Sequence, residues 1–223
     1  MHEAGLIAGT DGNISARIST DRILITPSGS CVGRLQPGDI SLIDAKGNAH
    51  PGSSKPSSER WMHLCAYQLR PDIHAAVHAH PPTAIALTLA GVAMDACALP
   101  EIILAFGQVP VTAYATPATR EGADVIRGWI DRYDALVLDR HGSFTVGQSL
   151  WNALDKLEKL EHGAHVIYMA HQLGRVKALA PDEIARLAAL REQFGLGDAA
   201  DIPTQCLHPG TIIPRIPRGP DGY

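Results

Sequence analysis

The sequence predicts an α/β fold, a single domain layered α/β/α. Two observations carry this: stretches with strand-like alternation interleave with stretches of helical periodicity, and neither an internal repeat nor a linker interrupts residues 1–199. Size agrees. At ~100–200 residues per domain, 223 residues make one large domain. Such a domain buries roughly 70% of its unfolded surface and needs no disulfide or structural metal to fold.

The elements follow in order. Ile14, Ala16 and Ile18 alternate, and Ile23-Leu24-Ile25 come after Ser19-Thr20-Asp21, so 14–25 reads as a hairpin. Thr26-Pro27-Ser28-Gly29 is a turn, and Ile40 to Ile43 a short strand closed by Asp44-Ala45-Lys46-Gly47. Ser57 or Ser58 can cap a helix to about Leu69, with Trp61, Leu64, Cys65 and Leu69 on one face. Ala75 to Ala79 reads as a strand, stopped by Pro81-Pro82, and a short apolar helix follows. Val109-Pro110-Val111 is a brief strand, Thr119 to Arg132 a helix, and Ala135 to Leu138 a buried strand. Ser149 caps the longest helix, whose apolar stripe is Leu150, Leu154, Leu157, Leu160, Ala164 and Ile167 and which runs to about Leu173. A last helix spans Pro181 to Phe194. Residues 200–223 form a tail in which Pro203, Pro209, Pro214, Pro217 and Pro220 forbid regular structure.

Composition narrows the function. Hydrophobic residues at 45% and charged residues at 19% argue against global disorder. A net charge of −4 with 11 His neutral argues against nucleic acid or an anionic membrane as the main partner, while leaving room for a local basic pocket. Cys31, Cys65, Cys97 and Cys206 show no CxxC spacing and read as small hydrophobes in a reducing compartment. The start, Met1-His2-Glu3-Ala4, lacks the basic region of a signal peptide. The apolar stretch Ala84 to Met94 falls short of the ~20 residues of a membrane helix. The expectation is a soluble, cytoplasmic protein.

The sharpest chemical feature is His78-Ala79-His80. On a strand, residues i and i+2 share a face about 6.6 Å apart, so two imidazoles can converge on one metal ion; two plain surface histidines fit the same pattern. A catalytic zinc site needs a third ligand. His141 is the best candidate, on a loop just after the buried strand; His74, at the other end of its strand, is poorer. His162, His165 and His171 on the long helix read as exposed or packing residues, and His2, His50, His63 and His208 show no distinguishing spacing. Ser57 and Ser58 at a helix start can hold an anion, above all a phosphate, while Glu59 could be a plain dipole-compensating residue. Gly9 to Asn13 and Thr26 to Gly29 are further loops of small hydrogen-bonding residues. Together with a His triad they suggest a phosphorylated, metal-dependent substrate. No Walker A or Rossmann fingerprint is present.

In this order the pieces resemble the class II aldolase/adducin family. They are Gly9-Thr10-Asp11-Gly12-Asn13-Ile14-Ser15, Leu24 to Gly29, Lys55-Pro56-Ser57-Ser58-Glu59, Val77-His78-Ala79-His80-Pro81, Pro110 to Thr116, and His141-Gly142. The resemblance runs from about residue 3 to about residue 175, and several features look like the family's L-fuculose-1-phosphate aldolases. It implies a central mixed, largely antiparallel sheet flanked by helices. It implies one Zn2+ per subunit on His78, His80 and His141, with Glu59 as acid/base and metal-approaching residue; Mn2+, Co2+ or Fe2+ suit the same donors. It implies a substrate phosphate among Gly12, Asn13, Ser28, Gly29, Ser57 and Ser58, with Thr10 close by. It also implies a fourfold-symmetric homotetramer with active sites at subunit boundaries.

The implied reaction is cleavage of a ketose 1-phosphate, such as fuculose, ribulose or a 5-deoxy or methylthio analogue, to dihydroxyacetone phosphate and an aldehyde. A methylthioribulose-1-phosphate dehydratase, a pentulose-phosphate 4-epimerase, a sugar-acid phosphate decarboxylase or an adducin-like interaction domain would share the scaffold. Glu59 stands where epimerases commonly carry Asp. The chain departs from the pattern by beginning almost at the glycine loop, by lacking a Tyr between Pro100 and Gly107, and by its tail. Tyr114 reads as structural, and Tyr223 at the extreme C-terminus could reach a neighbouring site.

Overall fold

A computed structural model of the chain describes residues 1–94, 97–174, 176–198 and 201–203. The expected tail 200–223, Tyr223 included, lies outside them apart from residues 201–203. Seven strands form one sheet: β1 (Asn13–Ser19), β2 (Arg22–Ile25), β3 (Ser41–Ile43), β4 (Ala75–Ala79), β5 (Val111–Thr112), β6 (Ala135–Leu138) and β7 (Gly142–Gly147). Their order is β3-β2-β1-β4-β7-β6-β5, and every pairing is antiparallel except β5 with β6. Six α-helices complete the described residues: α1 (Arg60–Leu69), α2 (Pro82–Ala90), α3 (Pro100–Phe106), α4 (Glu121–Arg127), α5 (Leu150–Leu173) and α6 (Pro181–Gln193). The expected mixed, largely antiparallel sheet between helices is what the chain adopts.

The alternation of strand side chains divides the core. Leu136, Leu138, Phe144 and Val146 face α1 and α4 with Ile23, Ile25 and Ile43. Ala135 and Val137 face α2, α3 and α5. Ala75, Val77 and Ala79 face Leu157 of α5. The two-residue period then puts Ala76, His78 and His80 on the α1 side, which decides where the histidines point. Burial on both faces also explains why β4 and β6 read as continuous apolar runs rather than alternating ones.

Several boundaries shift. The helix expected from Thr119 to Arg132 ends at Arg127, before Gly128. The strand near Val109 begins at Val111. Strand β7 and helix α3 are additional: Gly142-Ser143-Phe144-Thr145-Val146-Gly147 is too rich in small and hydroxylated residues to announce a strand, yet it is buried throughout. On α1 the buried set is Met62, His63, Cys65, Ala66 and Tyr67, while Trp61 and Leu64 are half-buried, because sheet and α4 cover the helix from two sides. On α5 Ser149 caps as expected, accepting from the Asn152 N–H at 3.1 Å, but Leu150 is exposed and Ala153 takes its place in the buried stripe. Cys31 and Cys65 are free thiols; Cys97 departs from the expectation, being disulfide-bonded. No helix among the described residues is long and apolar enough to cross a membrane.

Two polar clamps hold the helices on the sheet. Glu161 of α5 accepts from the Thr83 and Ala84 N–H groups at 2.8 and 3.0 Å, satisfying the start of α2, whose N-cap is a proline. Arg17 of β1 donates to the carbonyls of Tyr67, Arg70 and Pro71 at 2.8, 3.0 and 2.9 Å and to that of Ile73, closing the C-terminus of α1. Arg17→Met keeps the aliphatic stem and removes the charged donors, so stability is expected to fall by about 2 kcal/mol. Urea unfolding checks this, with a lower midpoint at unchanged slope; an unmoved midpoint would mean that water serves those carbonyls equally well.

Candidate functional site

The site begins as a row across the sheet. In β1, β4 and β7, Asn13 stands opposite His78 and His78 opposite Phe144, so all three side chains rise on the α1 face. His78 is wholly buried. His80 follows two residues on; its N–H bonds to the Leu6 carbonyl at 2.9 Å and Pro81 ends the strand. His141 arrives from the turn between β6 and β7, in which Arg140 takes a left-handed backbone (φ 58°). Gly142, next to it, permits the convergence. A Cβ there would collide with the Ala79 carbonyl and approach the His78 and His80 rings to 3.0 and 3.1 Å.

The three imidazoles pack edge to face, with centroids 4.8, 4.9 and 5.0 Å apart. Their nearest ligand nitrogens all lie within 4.8 Å of one another. His78 Nδ1 donates to the Ser143 carbonyl at 2.8 Å, which leaves its Nε2 as a lone pair facing inward, 3.1 Å from His80 Nε2. His80 Nδ1 in turn lies 3.5 Å from Asp11 Oδ2. With both outer nitrogens serving acceptors, two lone pairs meet at the centre, an arrangement that a cation relieves. Three neutral imidazoles and one carboxylate are a fitting donor set for a divalent transition metal.

That carboxylate is Glu59, the N-cap residue of α1. Its Oε2 accepts from Asn13 Nδ2 at 2.9 Å and lies 3.2 Å from His78 Nε2. Its Oε1 lies 3.4 Å from His141 Nε2 and 3.4 Å from the Ala118 N–H. Ala118 reaches this position with a left-handed backbone (φ 63°), unusual for a residue with a side chain. Burial opposes the Glu59 charge, but the adjacent His78 and His141 rings and the bond from the Asn13 amide outweigh it and hold the carboxyl well below its usual range. Burial, reinforced by His78, presses His141 down to about 4 and lowers His80 in the same sense. Both rings are therefore neutral near pH 7, the form in which imidazole binds metal.

The small-residue loops gather beside this cluster. Ser28 N–H bonds to the Lys55 carbonyl at 2.9 Å and Ser57 N–H to the Thr26 carbonyl at 3.1 Å, lacing 26–29 against 55–58. Ser57 Oγ accepts from the Glu59 N–H at 3.2 Å. Thus Ser57 does not cap as the N-cap residue; it forms the turn that presents Glu59. Gly12 (φ 74°) lies against the His78 carbonyl, where a Cβ would come to 2.9 Å, so only glycine brings this loop to the row. Ser58 is half-buried, and Gly29 and Thr10 are exposed at the loop rims. On the other side of Glu59 and His141 a small cleft is walled by Met62, Ala113, Ala115, Pro117, Ala118 and Val125. His74, His162, His165 and His171 are exposed, and Tyr114 is 57% exposed rather than a packing residue.

Sequence reasoning missed Asp11, Ala118 and, above all, His63. His63 is wholly buried and its ring meets Phe144 edge to face at 5.1 Å. Burial presses it down to about 3. The signal was present: Glu59, His63 and Tyr67 are spaced i, i+4, i+8, a polar stripe on one face of α1.

The sequence pattern of the Class II Aldolase and Adducin N-terminal domain family matches residues 1–168. The chain is 34% identical over 198 residues to a 5-deoxy-D-ribulose 1-phosphate aldolase of Bacillus thuringiensis serovar kurstaki, covering 87% of this chain and 92% of that one. It is 32% identical over 190 residues to a 3-oxo-tetronate 4-phosphate decarboxylase of Pectobacterium atrosepticum, covering 83% and 86%. Among solved structures, an L-fuculose 1-phosphate aldolase superposes with a TM-score of 0.77 at 33% identity, covering 86% of this chain and 90% of that one.

Two outcomes follow from the geometry. Gly142→Ala is expected to push the His pair apart and weaken binding of a divalent ion by about 10-fold or more, read by competition with a chromophoric chelator; unchanged affinity would show that β7 can yield. In chelator, stability is expected to decline as pH falls from about 6.5 toward 3. The unfolded chain takes up the proton that folded His63 refuses, at a slope of up to about 1.4 kcal/mol per pH unit per group. His63→Gln should flatten that decline in thermal melts.

Proposed function

The chain belongs to the Class II Aldolase and Adducin N-terminal domain family, and on that premise we propose that it is a metal-dependent aldolase cleaving a ketose 1-phosphate to dihydroxyacetone phosphate and an aldehyde. The observation that carries this reading is the meeting of His78, His80 and His141 with the Glu59 carboxylate. An interaction domain has no need of three imidazoles converging on one point beside a carboxylate.

His78, His80 and His141, with Glu59 alongside, would hold one divalent ion per subunit, zinc in this reading. When bound, the ion supplies Lewis-acid polarisation of the ketose oxygens and offsets the charge that develops as the C3–C4 bond breaks. The protein's own residues supply the rest. Glu59 moves the proton at C3: in cleavage the C4 hydroxyl gives up its proton as the aldehyde carbonyl forms and C3 receives one through Glu59, and condensation runs the reverse. Gly12, Asn13, Ser28, Gly29, Ser57 and Ser58 bind the phosphate, and the lacing of their loops keeps the substrate's C3 within reach of Glu59. Beyond Glu59 and His141, the cleft beside them has only Thr116 and Thr119 as polar side chains, and its other walls are mostly methyl and methylene groups. It therefore supports a deoxy or thioether-bearing ketose over a fully hydroxylated one, in keeping with the Bacillus relative.

Decarboxylation of an oxo-acid phosphate is the second reading, favoured by the identity to the Pectobacterium enzyme. It too breaks a carbon–carbon bond near a carbonyl, with carbon dioxide in place of the aldehyde. Assembly as a homotetramer is part of the first reading, supported by exposed apolar side chains on α5 such as Trp151, Tyr168 and Met169; light scattering tests it.

The deciding experiment supplies 5-deoxyribulose, methylthioribulose, ribulose and fuculose 1-phosphates, with and without chelator. Dihydroxyacetone phosphate is followed by a coupled NADH-consuming enzyme and other products by mass. The expected result is chelator-sensitive dihydroxyacetone phosphate, fastest from the deoxy or methylthio substrate. Water loss or epimerisation without it would replace the reaction but keep the scaffold. His80→Ala should lose bound metal. Glu59→Gln should keep metal and lose about 10²–10⁴-fold in kcat; full turnover by Glu59→Gln would remove its role.

A further inference from the structure

A buried chain of polar side chains runs away from Glu59 between β1 and α1. Asn13 Nδ2 donates to Glu59 Oε2 at 2.9 Å, and Asn13 Oδ1 lies 2.6 Å from His63 Nε2. His63 Nδ1 lies 2.6 Å from Ser15 Oγ, and Ser15 Oγ lies 2.8 Å from Tyr67 Oη. Asn13, Ser15, His63 and Tyr67 are all buried, so none of these groups can exchange its partner for bulk water.

The chain has one consistent direction. A carboxylate only accepts, so the Asn13 amide turns its NH2 to Glu59 and its oxygen to His63. His63 Nε2 must then carry the proton. A neutral imidazole has a single N–H, so Nδ1 accepts from the Ser15 hydroxyl, and the Ser15 oxygen accepts from Tyr67. Burial keeps the ring neutral, which makes the choice of tautomer binary. In the other tautomer a bare Nε2 would face Asn13, the amide would rotate, and its oxygen would lie against the Glu59 carboxylate.

We propose that His63 is a positioning residue: its Nε2–H tautomer, supported at Nδ1 by the Ser15 hydroxyl, locks the Asn13 amide with the NH2 on Glu59 Oε2. Glu59 Oε1, whose contacts to His141 and Ala118 are both 3.4 Å, is then the oxygen left to carry the moving proton. The catalytic consequence rests on the reading of Glu59 as acid/base, whereas the tautomer does not.

The test uses the full chain labelled with 15N-histidine, His63 being assigned by the signal lost in His63→Gln. Ring 15N shifts report the tautomer directly, with no turnover. The wild type is expected to show Nε2–H alone, and Ser15→Ala to mix the two tautomers. In kinetics Ser15→Ala should lose about tenfold in kcat with KM and metal content held. His63→Gln, whose amide N–H still reaches Asn13, should stay within about tenfold of wild type. His63→Asn, which reaches only Ser15, should lose about 100-fold in kcat.

A merely structural His63 would make the Gln and Asn variants fall together, in stability and in activity, and that result overturns the proposal. So does an Nδ1–H ring in the wild type, or an unchanged tautomer in Ser15→Ala. Should both His63 variants fail to fold, the ring spectra of wild type and Ser15→Ala decide alone. A fully active Glu59→Gln with an Nε2–H ring would remove the acid/base reading and leave the lock standing.

Discussion

One carboxylate, Glu59, stands where four groups converge: an amide from β1, a ring from β4, a ring from the β6–β7 turn and a backbone N–H from the loop before α4. A buried charge is tolerated only when partnered on all sides, so this one binds four distant segments into a single arrangement. It also explains the docking of α1. The helix begins at Glu59, and its polar stripe continues through His63 and Tyr67 onto Asn13 and Ser15 of β1. The polar face of α1 is therefore turned inward, beside the apolar face formed by Met62, Cys65 and Ala66.

The approach of backbone to backbone around that point depends on absent side chains. Gly142 lets β7 close on the end of β4, and Gly12 lets the first loop close on the His78 carbonyl. The two loops that deliver His141 and the Ala118 N–H each contain a residue with a side chain in the left-handed region, Arg140 and Ala118. Backbone strain of this kind costs about 1–3 kcal/mol per residue and persists where the surroundings over-determine it. Here the surroundings are the functional cluster itself.

The two kinds of relative differ in what leaves the substrate, an aldehyde or carbon dioxide, rather than in where the bond breaks. The walls beside His141 are mostly methyl and methylene groups, with the hydroxyls of Thr116 and Thr119 among them.

The sequence by itself determined the layered α/β class, the hairpin, α1, α2, α5 and α6, and the candidates His78, His80, His141 and Glu59, because periodicity and motif order are local properties of the chain. It could not reveal β7, whose glycine and hydroxyl residues become strand only by burial between β4 and β6. It also passed over His63, which has no partner nearby in sequence beyond its own helix. Its meaning comes from Asn13 and Ser15, 50 and 48 residues away, brought opposite it by the register of β1 on β4. Only the tertiary structure decided which nitrogen of each ring faces inward, because that depends on which acceptor, a Ser143 carbonyl or an Asn13 amide oxygen, the fold places behind it.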